Sequence, residues 1–399
     1  MSVRQDSTRA PRLGGRLAVV VFIFSLIAFV VESQLAQYAQ TSLGYRQPFF
    51  IFYLVHSSFI LVFPLHLVYL KATAGYTISS LAKGLSLAIT DHLSSSGTSP
   101  SSFPYHSFAR LSLLLFLGLT CPALLWFVAV TLASLSDVTA IWNTNAFFAY
   151  IFTVKFLNVP WESRRLFAVL LATLGVMVVV YGGSTTTKLP NSKRPSTQAI
   201  TGMMPSPLLG DLLSVVASIA YGLYQVLYKK YAALPSDPEL VAEDTYIPVS
   251  DDYADTSLAE SDKEDVVFPP PFGLHPNLLT SFVGLLTFII LWIPLPLLHY
   301  YGIEKFRLPD DAKTYFAICG IAAGGIVFNA GFMVLLGIWG PITTSVGSLL
   351  TNVLVTISDA LFGAGIDNFT IWSLVGCSVI TAAFGVLAHD MYHKGSGIT

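Results

Sequence analysis

Charge is what this chain has least of. Only 11% of its 399 residues are Asp, Glu, Lys or Arg, against roughly 25% in an ordinary soluble domain. Eleven of its 23 acids fall between Asp237 and Asp265, so the remainder is poorer still. So few charges cannot give a chain of this length the polar surface that water demands, which excludes a soluble globular enzyme. A net charge of −2 offers nothing to the phosphates of a nucleic acid. Cysteine is scarce as well. Cys121, Cys319 and Cys377 each lie in an apolar run and form neither a disulfide framework nor a zinc site. P-loop and Gly-x-Ser-x-Gly motifs are absent, so ATP-driven transport and hydrolysis have no support and no cofactor or metal is expected.

What the chain has is apolar length: 54% of its residues are hydrophobic. A spanning helix needs about 20 mostly apolar residues, and ten such runs occur: 16–38, 49–70, 109–132, 137–157, 164–182, 208–229, 277–300, 315–337, 341–362 and 370–389. The third and fourth runs, like the eighth and ninth, must form tight hairpins. The expected class is an all-α membrane protein. Residues 91–104 (DHLSSSGTSPSSFP) read as flexible loop, 183–207 as an exposed linker, and 233–275, with its acids and Pro269-Pro270-Pro271, as disordered.

Loop charge sets the expected orientation. With the N-terminus in the cytosol, 14 Lys and Arg fall on the cytosolic side and 7 on the other. Both termini are then cytosolic, and an even span count requires them to share a side. The first run is too long for a cleaved signal core and reads as a retained anchor. The organisation read from this is a cytosolic tail 1–15, a five-helix half 16–182, the linker 183–207, a second half 208–389 with its acidic loop, and a cytosolic tail 390–399. Five helices per half invert the second half relative to the first, a common transporter design with the solute near the midplane. Asp137-Val-Thr opening the fourth run parallels Pro341-Ile-Thr opening the ninth.

Four stretches carry a family likeness: YRQPFF (45–50), RRLFAVLLATLGVMVVVYGG (164–183), GDLLSVVASIAYGLYQVLYKKY (210–231) and GPITTSVGSLLTNVLV (340–355). With them the chain resembles the drug/metabolite transporter superfamily of EamA-like, ten-helix fold, most closely the fungal F-type branch of solute carrier 35. The family pattern places an acid nine residues before the first glycine of each closing helix. Asp367 fits before Gly376, whereas the first half has Val159 there and Glu162 three residues later. The resemblance implies a secondary carrier of nucleotide-sugars, vitamin-like compounds or other metabolites. It also tilts the expected location towards the vacuolar membrane, with Golgi or another endomembrane as the alternative.

Ionisable and amide groups inside apolar runs are the functional candidates, because a charge at the bilayer centre costs at least about 2.5 kcal/mol. Glu32 in FVVESQLAQY and His56 in YLVHSSF are the proton-coupling candidates. The bland alternatives are an interfacial carboxylate and a satisfied core histidine. Trp142, Asn143 and Asn145 of the fourth run, set against Ser348, Thr351 and Asn352 of the ninth, are expected to face one another across a pseudo-twofold axis. Asn143 and Asn145 point about 200° apart on a helix, so one would read substrate while the other bonds a neighbour. Tyr221, Tyr224, Gln225 and Tyr228 share one face of the sixth run, suited to stacking on a planar ring. An interfacial aromatic belt is the alternative, above all for Tyr228 and Tyr231. Asn329 is a weaker candidate.

Three other patterns point to little. Asp251-Asp252-x-x-Asp255 reads as a solvated charge run, and His389 and His393 lack further zinc ligands. Asn368-Phe-Thr370 is a sequon too near the bilayer for modification. Gly320-x-x-x-Gly324 and Ser218-x-x-x-Gly222 permit close helix packing. The expected partners are a small-molecule substrate and the lipid bilayer, with no nucleic acid. The other function class left open is a non-transporting receptor or assembly factor on the same fold.

Overall fold

The computed structural model describes residues 15–94, 102–133, 135–182, 207–234, 266–362 and 370–396. The regular structure of the described residues is all helical, with no strand among them. In chain order the helices are α1 (Gly15–Thr41), α2 (Pro48–Ser58), α3 (Val62–Ala74), α4 (Ile78–Leu93), α5 (Tyr105–Leu132), α6 (Leu135–Trp142), α7 (Asn145–Phe156), α8 (Ser163–Gly182), α9 (Pro207–Leu227), α10 (Leu274–Ile290), α11 (Pro294–Tyr300), α12 (Ala312–Ser348), α13 (Leu350–Phe362) and α14 (Ile371–Ser396). One 3-10 turn, Phe59–Leu61, joins α2 to α3, and a π turn, Tyr228–Ala232, closes α9. Seven helical stretches are long and apolar enough to cross a membrane, and the α10–α11 pair, bent by 40°, makes an eighth.

Two of the apolar runs are broken rather than straight. Between α6 and α7 the side chains turn back on their own backbone. Asn143 Nδ2 donates to the Thr139 carbonyl at 2.7 Å, Thr144 Oγ1 to Ile141 at 2.6 Å and Asn145 Nδ2 to Trp142 at 2.7 Å. Such local bonds compete with the helical ladder. α12 is interrupted at Gly340 (φ 77°, ψ 173°), with Pro341 next. Thr344 Oγ1 donates to the Leu335 carbonyl, nine residues back, at 3.2 Å. Nine residues of straight helix would separate them by about 13.5 Å, so the chain folds back here, as the tight turn between the eighth and ninth runs requires.

α4 is the element that hydropathy does not announce. Gly75 (φ 71°) ends α3, and the Thr77 side chain accepts from the Ser80 amide to start α4. Its Leu81, Leu85 and Ile89 are buried among Phe108 and Leu115 of α5, Tyr228 and Leu274. The Val267 amide donates to the Ser80 carbonyl at 3.3 Å, and His92 Nε2 lies 3.0 Å from the Tyr231 carbonyl. Two expectations are corrected by this. Helix continues through 91–93, and 266–275 is ordered chain seated against α4, because its backbone finds partners there. Residues 95–101 and 235–265, with the DDxxD pattern, lie outside the described residues. At the other end α14 runs on to Ser396, so 390–396 is helix rather than tail.

Glycines set the two longest seams. Across α8 and α14, Gly175 and Gly376 meet back to back: a Cβ on Gly376 would lie 2.6 Å from the Gly175 carbonyl. Across α1 and α12, Gly324 faces Ala28 and Glu32, and Gly331 faces Ser25. The two small-residue motifs therefore pack within one chain, Gly320 on Leu35 and Gly222 on α7.

Candidate substrate site

The breaks of the α6–α7 and α12–α13 segments meet in the interior. Asn352 Nδ2 approaches Asn143 Oδ1 at 3.4 Å, which joins one amide of each expected group. Asn145 Oδ1 accepts from Gln225 Nε2 at 3.3 Å, and Gln225 Oε1 accepts from the Ser345 hydroxyl. All three are buried, Gln225 and Ser345 completely. Thr144 and Ser218 hydroxyls lie 2.9 Å apart. Beside these amides runs an aromatic wall. Trp142 stacks on Tyr221 with ring centroids 4.9 Å apart, and Tyr221 stacks on Tyr224 at 5.9 Å and on Phe332 at 6.4 Å. Tyr224 donates its hydroxyl to Met333 Sδ at 3.0 Å.

Other candidates are held locally. Ser348 and Thr351 donate to the carbonyls of Ser345 (2.7 Å) and Ser348 (2.6 Å), and Asn329 Nδ2 to Gly325 at 2.9 Å. His56 Nδ1 lies 3.0 Å from the Phe52 carbonyl, its ring between Phe52 and Phe59 at 4.0 and 5.0 Å. Glu32 is pressed by Gly324 and Gly325, and its Oε2 is buried without a hydrogen-bond partner. No hydrogen bond joins Glu32 to His56. Tyr228 is fully buried while Tyr231 is 53% exposed, so the belt reading fits only the latter. Ser345 escaped the sequence reading because an isolated hydroxyl in an apolar helix carries no pattern, and Ser218 entered it only as part of a close-packing motif. The one available signal for Ser345 was its three-residue spacing to Ser348.

A cavity of about 10 Å³ lies between Tyr224, Asn329, Phe332 and Met333, room for at most about one water. Glu162, three residues off the family pattern, pairs with Arg165 at 3.0 Å, and Arg165 also reaches Asp390 at 3.2 Å. Asp367 and Asn368 lie outside the described residues. At the opposite end Gln47 grips the Arg307 backbone through both amide atoms, at 2.6 and 2.9 Å, and Tyr45 donates to the same carbonyl at 2.9 Å. Glu304 accepts from the Phe49 and Phe50 amides at 2.9 Å each, closing the N-terminus of α2. Burial raises the Glu304 carboxyl, and burial with the Glu304 and Asp310 charges pushes Tyr45 up to about 12. Among the described residues no group of three metal-ligating side chains converges.

With that geometry in hand, the likenesses to other proteins are informative. An uncharacterized transporter of Schizosaccharomyces pombe is 23% identical over 384 residues, 94% of this chain and 96% of that one. The chain is similar to fungal transporters. A thiamine-repressible mitochondrial transport protein of Saccharomyces cerevisiae is 21% identical over 94% of this chain and 91% of its own length. An uncharacterized vacuolar membrane protein of the same yeast is 24% identical over 45% of this chain and 36% of its own length. No family model matches. A solved crystal structure covers 96% of this chain at TM-score 0.56 and 12% identity, a likeness of fold alone.

Proposed function

We propose that the chain is a secondary-active transporter of EamA-like, solute-carrier-35 type, moving a small polar organic solute across an internal membrane by alternating access. The observation that carries this reading is the pairing of helices. In two inverted five-helix repeats, a contact of the first span with the eighth must be mirrored by one of the sixth with the third. α1 packs along α12, and α9 packs along α5. The spans expected to pair with their own images, α8 with α14 and α2–α3 with α10, also pack together. Ten spans result when the fold-back at Gly340 divides Ala312–Leu361 and α6–α7 is counted as one broken span. A break in each of the two segments also supports the repeat: Asn143 and Thr144 interrupt one six and seven residues after Asp137, and Leu349 interrupts the other eight residues after Pro341. Broken helices at such a place are how carriers present polar backbone to a solute.

In this reading Trp142, Tyr221 and Tyr224 stack on the solute; Asn143, Asn145, Gln225 and Asn352 exchange their mutual bonds for bonds to it, and Asn329, Ser348 and Thr351 exchange their bonds to local backbone carbonyls. Glu32 and His56 carry the coupled proton. Both termini face the cytosol, on the two-to-one Lys and Arg bias, and the vacuolar membrane is the location. Uptake of a metabolite panel into proteoliposomes under an imposed pH gradient tests the function. Glu32→Gln and His56→Gln should abolish the pH-driven component, and unchanged proton dependence overturns their role.

The buried bonds of Asn145 to Gln225 and of Asn143 to Asn352 favour one second reading, a non-transporting receptor or assembly factor in which the amides only hold helices together. It predicts no uptake of any solute by wild-type protein.

A further inference from the structure

The fold-back of α12 at Gly340 is held from outside, by two residues one turn apart at the end of α9. In an α-helix each carbonyl takes the amide four residues further on. For Gly337 that residue is Pro341, which has no N–H, so the Gly337 carbonyl loses its regular partner. Lys229 supplies the donor: its Nζ donates to the Gly337 carbonyl. A lysine at the last carbonyls of a helix meets an orphan acceptor and the negative end of the helix dipole together.

The other side of the break is held as well. Gln225, four residues before Lys229, accepts through Oε1 from the Ser345 hydroxyl, and Ser345 lies four residues beyond Pro341. Positions four apart share a helix face. α9 with its closing turn therefore grips the chain before Gly340 through Lys229 and after it through Gln225, as a splint crosses a joint. The wide turn Tyr228–Ala232, in which the Ala233 amide donates to the Tyr228 carbonyl at 2.9 Å, gives its two lysines different partners. Lys230 Nζ stands 5.9 Å from the Phe156 ring centroid and 5.4 Å from that of Tyr231, while Lys229 serves the break.

A glycine at φ 77° followed by a proline sets no single bend, because glycine adopts many backbone conformations at little cost. An outside restraint has to choose the angle. We infer that Lys229 is a positioning residue: with Gln225 it fixes the bend at Gly340, and through it the place of Ser348, Thr351 and Asn352 beyond the break. That those three residues bind a solute rests on the transporter reading. The splint does not, and it is tested with no solute present.

The test is the distance between two nitroxide labels, read by double electron–electron resonance on the full chain in nanodiscs. The labels go on Phe316→Cys in α12 and Leu361→Cys in α13, both exposed, with Cys121, Cys319 and Cys377 replaced by alanine. The arm from Gly340 to position 316 is about 36 Å long, so each opening of about 10° moves its label by about 6 Å. Wild type and Lys229→Arg, which keeps a cationic donor, should share one narrow distribution. Lys229→Met should broaden it and shift its mean by about 6 Å or more, and Lys230→Met should leave it unchanged. A wild-type distribution in Lys229→Met overturns the proposal. So does an equal change in Lys230→Met, or a distribution in Lys229→Arg as broad as in Lys229→Met. Should Lys229→Met fail to fold, the wild-type protein decides. A water-soluble N-hydroxysuccinimide ester should acylate Lys229 roughly ten-fold more slowly than Lys230, the weight of one charged hydrogen bond, and equal rates overturn the splint. A protein that passes these tests yet takes up no solute keeps its splint and loses only the transporter reading.

Discussion

The two long glycine seams start from the same device and end differently. Along α8 and α14, Gly175 and Gly376 bring backbone against backbone, and Arg165 locks the end of the seam between Glu162 and Asp390. Along α1 and α12, glycines face side chains instead. Glu32 is held there with an unpartnered oxygen. The first seam ends in charges matched within the protein, whereas the second keeps a buried carboxylate oxygen without a partner. The lesson is that small residues decide how closely helices approach, while the polar groups beside them decide whether the contact is sealed.

The sharpest way to break the sealed seam is Gly376→Leu. Its Cβ would sit 2.6 Å from the Gly175 carbonyl and 2.9 Å from the Val179 amide, both backbone atoms that cannot yield. Overpacking of this kind costs about 3 kcal/mol or more, and size-exclusion chromatography of detergent extracts should show loss of the monodisperse protein. Next comes Arg165→Ala. Arg165 and Asp390 are about one-tenth exposed, and removing the cation strands carboxylates at a cost of about 3–5 kcal/mol, read as a large fall in Tm. The same measurement on Glu32→Gln should show no fall, since no bond to its Oε2 is lost; equal losses at both seams would erase the contrast.

Gln225→Leu sits between the seams and should cost about 1–3 kcal/mol by leaving the buried Asn145 Oδ1 without its donor, while the Ser345 hydroxyl keeps the Pro341 carbonyl at 2.5 Å. An unchanged Tm would show that these bonds do not hold the three helices together. The smallest effect belongs to the Gln47–Arg307 end. Tyr45→Phe removes one hydrogen bond, about 1 kcal/mol. The folded protein holds the Tyr45 proton to about pH 12 against an ordinary value of 10.0. A raised value contributes stability below pH 10 that is lost as the pH climbs towards 12. The advantage of wild type over Tyr45→Phe should therefore shrink across that window, as followed by thermal unfolding in alkaline buffers.

Much of the fold was legible because a bilayer imposes length and apolarity on each span, and both are written locally. The long runs emerge as helices, and their bounds differ by a few residues except where α14 continues to Ser396. α4 was not legible. It is half polar and short, so only its burial against α5 and α10 makes it an element. At the candidate site the sequence named Asn143, Asn145, Gln225 and Asn352 as polar groups in apolar helices. It could not show that Asn145 would reach Gln225 rather than Asn352. Breaks at Asn143–Thr144 and Leu349 turn each helix, and that rotation chooses the partners.

By itself the amino-acid order determined that this chain lives in lipid, since its charge deficit and apolar runs leave no stable state in water. Tertiary structure alone decided which polar groups are satisfied and which are not. Hydrogen bonding inside a membrane is a matter of ångströms between distant helices, and no local pattern encodes that distance.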